Sequence, residues 1–135
     1  MAFWDIMVVS PNLEVQQAFA GVLSLWGLAP IVASSVREAE DIVNRHPVSL
    51  VFYSDEFPEG TGMDGFIRRA SRSSNKVRVV VVSRLDDWEH FVSFLRRGAF
   101  DYVLYPLSEV EIARVVKNAL DLGQPNRVQL VAAAS

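Results

Sequence analysis

The segment LVFYSDEFPEGTG, from Leu50 to Gly62, joins a short apolar run to two acidic residues and a turn rich in proline and glycine. A continuous apolar run of this length is typical of a strand buried on both faces of a parallel sheet. In an α/β domain such a strand ends at the edge of the sheet where ligands bind. Ser54, Asp55 and Glu56 are therefore the first candidate functional residues.

Similar runs of apolar, β-branched or aromatic residues recur along the chain, with helical patterns between them. Strands are predicted at Ile6–Val9, Pro30–Ala33, Leu50–Tyr53, Val79–Val82 and Asp101–Leu104. The intervening segments place apolar residues three or four positions apart, as amphipathic helices do. This alternation predicts a (βα)5 unit with right-handed crossovers, which is a doubly wound parallel sheet in the α/β class.

Polar caps and glycines mark the expected helix ends. The first helix is predicted to have Ser10 as its N-cap and Pro11 as its first residue, an arrangement that stabilises a helix start by about 1 kcal/mol. Gly27 and Gly98 lie where two helices should end. Capping boxes or similar spacings are expected at Ser35–Glu38, Asp86–Glu89 and Ser108–Glu111.

The composition limits the possible functions. The 135 residues are 50% hydrophobic, which predicts one globular domain, over 1–122, followed by a tail or linker over 123–135. A net charge of −3 offers no general attraction to nucleic acid or to an anionic membrane. The chain has no cysteine, which fits a cytoplasmic protein. His46 and His90 have no histidine partner at helical spacing and are expected away from the strand ends, so neither a zinc site nor a Ser/His/Asp hydrolase is predicted.

At the predicted strand ends the chain resembles the receiver domain of bacterial two-component response regulators, over residues 4–121. The blocks that carry the resemblance are IMVVSPN, LVFYSDEFPEGTG, VVVVS and GAFDYVLYPL. The resemblance implies a flavodoxin-like fold whose five strands lie in the order 2-1-3-4-5. It also implies a signalling module of a two-component system or phosphorelay rather than an enzyme.

The resemblance assigns family roles to six positions. The phosphoacceptor aspartate of the family, four residues before the proline, corresponds to Ser54. Its acidic pair, which holds Mg²⁺, corresponds to Ser10 and Pro11, and its lysine corresponds to Tyr105. The family's switch hydroxyl and switch aromatic are retained as Ser83 and Tyr102.

These replacements remove the chemistry of an acyl phosphate. A serine without a base is a poor nucleophile, and Mg²⁺ prefers anionic oxygen ligands, which Ser10 and Pro11 do not offer. Tyr105 cannot supply the ammonium group that pairs with a phosphoryl group. The chain is therefore expected to be a degenerate receiver, or pseudo-receiver, without catalytic residues, metal or other cofactor.

Two alternatives to this interpretation remain open at the strand ends. Asp55 could act as an acceptor displaced by one residue, although a one-residue slip turns a strand side chain to the other face; otherwise Asp55 and Glu56 would be solvated loop acids. A small-ligand pocket could also form around Ser10, Ser54, Ser83 and Tyr105. Ser54 itself is expected to be a small residue packed beneath the Tyr105 ring.

The fourth helix carries the predicted partner surface. Trp88, Val92 and Leu95 form one apolar stripe, with Phe91 at its edge and Phe94 well off it. In the resembled family, the fourth helix, fifth strand and fifth helix form the face that binds partners, which here would be a histidine kinase, an output domain or a second copy. Phe91 and Phe94 are therefore candidates for a partner surface, with burial in the core as an equal alternative.

Overall fold

Strands and helices alternate along the computed structural model, which describes residues 5–58, 62–72 and 77–120. The strands are Asp5–Val9 (β1), Ile31–Ala33 (β2), Val48–Ser54 (β3), Arg78–Ser83 (β4) and Asp101–Leu104 (β5). The helices are Leu13–Ser24 (α1), Val36–Arg45 (α2), Met63–Arg72 (α3), Trp88–Arg96 (α4) and Glu109–Leu120 (α5). Each predicted strand is present within one or two residues of its expected bounds.

All pairings between neighbouring strands are parallel, and the strand order is β2-β1-β3-β4-β5. This confirms the flavodoxin-like doubly wound topology. In the register of the sheet Ser54 lies beside Val82, and Ser83 lies beside Leu104. The carboxyl ends of β3, β4 and β5 therefore meet at one edge of the sheet.

Apolar side chains cover the sheet on both faces, as its continuous apolar strands predict. On one face α2, α3 and α4 pack over a cluster that includes Tyr53, Phe66 and Phe94. On the other face α1 and α5 pack over a second cluster, in which the rings of Phe19 and Phe52 have their centroids 4.6 Å apart. Neighbouring residues of β3 thus enter opposite layers, as strand geometry requires.

The glycine-terminated helices end as predicted. Gly27 and Gly98 have φ values of 71° and 111°, which side chains with a Cβ rarely adopt. In both cases the residue after the glycine donates its N–H to a carbonyl five residues back, Leu28 to Leu23 and Ala99 to Phe94. These bonds define a Schellman motif, in which glycine satisfies carbonyls that the helix end leaves free.

Two of the predicted helix starts are wrong, and two are confirmed. Ser35 and Ser108 accept hydrogen bonds from the backbone N–H groups of Glu38 and Glu111, as expected of caps. The N-cap of α1 is Asn12 rather than Ser10, and Pro11 lies before the helix. The N-cap of α4 is Asp87 rather than Asp86. In both corrected cases the side-chain oxygen of the cap accepts a hydrogen bond from the backbone N–H two residues later. In a capping box the donor is three residues later.

The predicted apolar stripe of α4 is also wrong, because the helix is rotated relative to the expectation. Trp88 is 72% exposed, whereas Phe94 is 4% exposed and lies in the core. Phe91 is half-buried against the same core, with its ring 5.5 Å from that of Tyr102. The structure therefore favours the core alternative for Phe91 and Phe94, and their use as a partner surface stays a prediction.

The described part of the chain ends with α5 at Leu120, so the predicted boundary between 1–122 and 123–135 lies outside the described residues, as do residues 59–61 of the turn after β3. No helix in the described ranges is long and apolar enough to span a bilayer.

Candidate functional site

Three buried serines lie at the same edge of the sheet: Ser10 directly follows β1, and Ser54 and Ser83 are the last residues of β3 and β4. Ser10, Ser54 and Ser83 are no more than 2% exposed. Each Oγ accepts a hydrogen bond from the backbone N–H two residues later, at 3.1, 3.2 and 3.0 Å in chain order. The hydroxyls therefore close the turns that leave the strands, a local role that serine performs without a ligand.

The carboxylate of Glu56 lies within hydrogen-bond distance of the Ser54 hydroxyl. Its Oε2 accepts a hydrogen bond from Ser54 Oγ at 3.2 Å. Its Oε1 accepts from Asn12 Nδ2 at 3.3 Å, and Arg84 Nε lies 4.0 Å away. Glu56 is an exposed loop residue, as expected, but its carboxylate is also held by Ser54, Asn12 and Arg84.

Arg84 links the remaining loops at this edge. Its guanidinium lies 4.4 Å above the centre of the Tyr105 ring and 3.5 Å from the carboxylate of Glu14. Burial and the nearby carboxylate of Glu14 raise the pKa of the Tyr105 hydroxyl, and Arg84 acts in the opposite direction. A cation from the loop after β4 thus lies over the ring of Tyr105.

Sequence reasoning placed Arg84 at the carboxyl end of the fourth strand but gave it no role, and it did not identify Asn12 as a member of this site. Arg84 lies two residues after the fourth predicted strand, so its position at the same edge as Glu56, with opposite charge, was a usable signal. Asn12 carried no such signal, because the helix was expected to start two residues earlier.

Asp55 points away from this cluster and pairs with a histidine on α4. Its Oδ2 lies 3.0 Å from Nε2 of His90, and its side chain is 16% exposed. The His90 ring in turn makes edge contacts with Phe94 and Tyr102. Two expectations are therefore wrong: Asp55 is not a solvated acid, and His90 does lie at a strand end, because the first turn of α4 brings its ring to the carboxylate of Asp55.

The two switch-equivalent residues bind the same backbone unit. Ser83 Oγ accepts from Leu85 N–H, and the Tyr102 hydroxyl donates to the Leu85 carbonyl at 2.7 Å. Burial raises the pKa of Tyr102, a hydrogen bond with Ser83 lowers it, and the carboxylates of Asp55, Asp87 and Asp86 raise it. The loop between β4 and α4 is thus tied to both β4 and β5.

The residues at the strand ends do not fit the Mg²⁺ that receiver domains hold. Pro11 has no side-chain oxygen, and the buried Ser10 hydroxyl already serves its own turn. The carboxylate of Glu56 is engaged by Ser54, Asn12 and Arg84. Within the described residues no group of three or more acidic or histidine side chains could hold a metal ion. Mg²⁺ prefers several hard anionic oxygens, which this site does not offer.

Comparison with known proteins agrees with the observed fold. No protein-family model matches the chain. It is 25% identical over 129 residues to an NtrX-like response regulator of Rickettsia bellii, which covers 94% of this chain and 27% of that protein. A crystal structure of a response regulator from Thermotoga maritima matches with a TM-score of 0.78 and 26% identity, over 89% of this chain and 99% of that one. Both support a response regulator receiver domain.

A second structural neighbour of this receiver-like domain is the beryllofluoride-activated receiver domain dimer of NtrC4. It matches with a TM-score of 0.76 and 21% identity, over 87% of this chain and 96% of that one, and so shares the fold. The chain spans about a quarter of the length of the NtrX-like relative. In fold and sequence the chain is similar to the receiver domains of two-component response regulators.

Proposed function

We propose that this receiver-like domain signals by protein–protein interaction without being phosphorylated itself. The observation that carries the proposal is the hydrogen bond between Ser54 Oγ and the Glu56 carboxylate. A phosphoryl group at Ser54 would meet this carboxylate, and the two anions would repel each other. The position also lacks the carboxylate nucleophile that forms an acyl phosphate.

The contacts around Glu56 support the same proposal in a second way. The carboxylate, with Asn12 from one loop and Arg84 from another, already links the loops after β1, β3 and β4. In a phosphorylated receiver, an added phosphoryl group and its metal ion would supply the charge at this place. Here the chain supplies an anion and a cation of its own, so we infer that the loops keep one arrangement.

The deciding experiment is incubation with acetyl phosphate, or with beryllofluoride, in the presence of Mg²⁺. We expect no added phosphoryl mass by intact-protein mass spectrometry and no change in the amide NMR spectrum beyond that caused by Mg²⁺ alone. A receiver that has the acceptor aspartate, treated in parallel, controls for reagent activity. Stoichiometric modification, or clear shifts around Ser54, would contradict the proposal.

The second candidate function is phosphotransfer with Asp55 as a displaced acceptor. It has one favourable observation, because Asp55 is a carboxylate at the end of β3 that retains some exposure. Against it stand the pairing with His90 and the direction of the side chain, which is away from Ser54 and Arg84. If label is incorporated in wild type and disappears in Asp55→Asn but persists in Ser54→Ala, this second function replaces the first.

The proposed setting is a cytoplasmic two-component pathway, and the proposed partners are a histidine kinase, an output domain or a second copy of the domain. The similarity to response regulators supports this setting. Capture of a kinase or an output domain by the untreated protein, with unchanged affinity after acetyl phosphate treatment, is the expected result. Binding that requires the treatment would contradict it.

A further inference from the structure

Positive and negative charges are separated between the two ends of the sheet. Because the helices of a parallel βα sheet run back against its strands, their first turns lie at the carboxyl end of the sheet and their last turns at the amino end. Each of the five described helices has an acidic residue in its first turn, and four of them have a basic residue in the last turn. We call four of these last-turn residues the amino-end bases: Arg45, Arg72, Arg96 and Lys117.

The amino-end bases are exposed, and none of them forms an ion pair with another described residue. Arg78, at the start of β4, adds a further cation at this end, 4.7 Å from the centre of the Phe100 ring. Asp5 begins β1 at the same end, and Asp101 is paired with Arg114 at 3.5 Å. The net charge of −3 is therefore unevenly distributed, with a basic amino end opposite an acidic carboxyl end.

The helix dipole by itself favours bases at helix ends, so a second feature of the amino end is needed to indicate a partner. The last turn of α1 has no base, and the turn that follows it exposes Leu25 and Trp26, which are 61% and 41% exposed. The N–H groups of Trp26 and Leu28 both donate to the Leu23 carbonyl. Leu23 is buried in the apolar cluster beneath α1, and Leu28 packs against that cluster. The core thus anchors this turn, while Leu25 and Trp26 stay exposed to solvent.

An exposed apolar pair at the basic end fits an anionic lipid surface better than it fits a nucleic acid. Anionic headgroups attract lysine and arginine side chains near the membrane surface. Tryptophan favours the headgroup level, and an aliphatic side chain is stabilised at the boundary with the acyl chains. A phosphate backbone would bind the bases equally well, but it would leave the exposed Leu25 without an apolar contact.

We propose that the amino end of the sheet binds an anionic membrane surface, with Leu25 and Trp26 at the headgroup boundary and the amino-end bases against the lipid phosphates. The same surface repels the acidic carboxyl end, so the edge that carries Ser54 and Arg84 faces away from the membrane. That edge then stays open to protein partners. The inference does not rest on the proposed function and involves no phosphoryl group on the domain itself.

Two variants with one tryptophan each test the orientation. The chain has three tryptophans, so Trp4→Phe combined with Trp88→Phe leaves Trp26 as the reporter at the basic end. Trp4→Phe combined with Trp26→Phe leaves Trp88, which begins α4 at the acidic end and is 72% exposed. With vesicles made of equal parts of phosphatidylglycerol and phosphatidylcholine, we expect the emission of Trp26 to shift to the blue and that of Trp88 to stay unchanged.

Two results of this experiment would overturn the proposal. One is the absence of a shift at Trp26, or a shift at Trp88 that equals or exceeds it. The other is an equal response to vesicles of phosphatidylcholine alone, since these lack the anionic headgroups that attract the bases.

Matched charge reversals test the bases. Arg72→Glu and Arg37→Glu make the same charge change on exposed arginines, the first in the last turn of α3 and the second in the first turn of α2. In co-sedimentation with the anionic vesicles at low salt, we expect the partition coefficient to fall by about tenfold in Arg72→Glu and to change by less than about twofold in Arg37→Glu. Binding of the wild type should weaken strongly in about 1 M salt.

Equal losses in the two charge variants would contradict the proposed orientation. Binding of duplex DNA without binding of the vesicles would assign the basic end to a nucleic acid and overturn the proposal. Neither result affects the acetyl phosphate test, so failure here is distinguishable from failure of the proposed function.

Discussion

Tyr53 shows how burial and hydrogen bonding can oppose each other at one residue. Its ring is fully buried between Phe57 and Phe66, and within the described ranges its hydroxyl has no hydrogen-bond partner. Burial raises the pKa of this hydroxyl well above its usual range. The ring therefore stabilises the core, while the hydroxyl carries a desolvation cost that no bond offsets.

We predict that Tyr53→Phe raises the free energy of unfolding by about 1 kcal/mol, because it removes an unpaired buried hydroxyl. Urea unfolding measures the effect. In Tyr102→Phe the change should have the opposite sign and a similar size, since that hydroxyl donates to the Leu85 carbonyl at 2.7 Å. A loss of stability in Tyr53→Phe would indicate that the hydroxyl has a partner.

The same residue predicts a pH dependence. The folded state holds the Tyr53 proton more tightly than the unfolded state does. The free energy of unfolding is therefore constant with respect to this group below the unfolded pKa, near 10, and falls as the pH rises further. The wild type should lose stability above about pH 10 more steeply than Tyr53→Phe does. Equal slopes would contradict the assignment, while Tyr102 and Tyr105 account for the slope that remains in the variant.

At the scale of single elements, α4 was the hardest to predict. Its existence and length followed from the sequence, but its rotation about its own axis did not. Pattern reasoning placed Trp88 on the buried stripe, whereas the helix turns so that His90 reaches Asp55 and Phe94 enters the core. The helix has apolar aromatic residues on two faces, and either face could have packed on the sheet. The side that is buried depends on contacts with β3 and β5, which are distant in sequence.

The start of this helix supports a matched prediction. Asp87 accepts the N–H of Glu89 at 3.0 Å, while its neighbour Asp86 lies outside the helix. Asp87→Ala should therefore lower the free energy of unfolding by about 1 kcal/mol. Asp86→Ala, a change of the same type one residue away, should alter it by less than about 0.5 kcal/mol. Chemical denaturation of both variants measures the difference, and a larger effect at Asp86 would restore the original assignment of the cap.

At the scale of the whole molecule, Arg84 joins loops that lie far apart in the chain. It contacts Glu14 after β1, Glu56 after β3 and Tyr105 after β5. Each of these contacts is partly exposed and weak by itself. Because they share one cation, together they connect the carboxyl ends of β1, β3, β4 and β5.

We predict that Arg84→Met lowers the free energy of unfolding by about 1 kcal/mol or less at low salt, since the pairs it removes are exposed. The loss should shrink in about 1 M salt, where the Debye length falls to about 3 Å. In the amide NMR spectrum, signals from all the contacted loops should shift together. Shifts confined to the loop after β4 would show that Arg84 does not couple them.

Sequence and tertiary structure thus determined different parts of this protein. The sequence alone determined the strands and the order of elements, because local periodicity and short motifs encode these features. The replacement of the resembled family's acceptor, metal ligands and lysine stays a prediction from the sequence. Only the tertiary structure decided that Glu56 meets Ser54, that Arg84 lies over Tyr105 and that Asp55 pairs with His90. These contacts join side chains from different loops, and their geometry follows from packing of the whole sheet rather than from any local pattern.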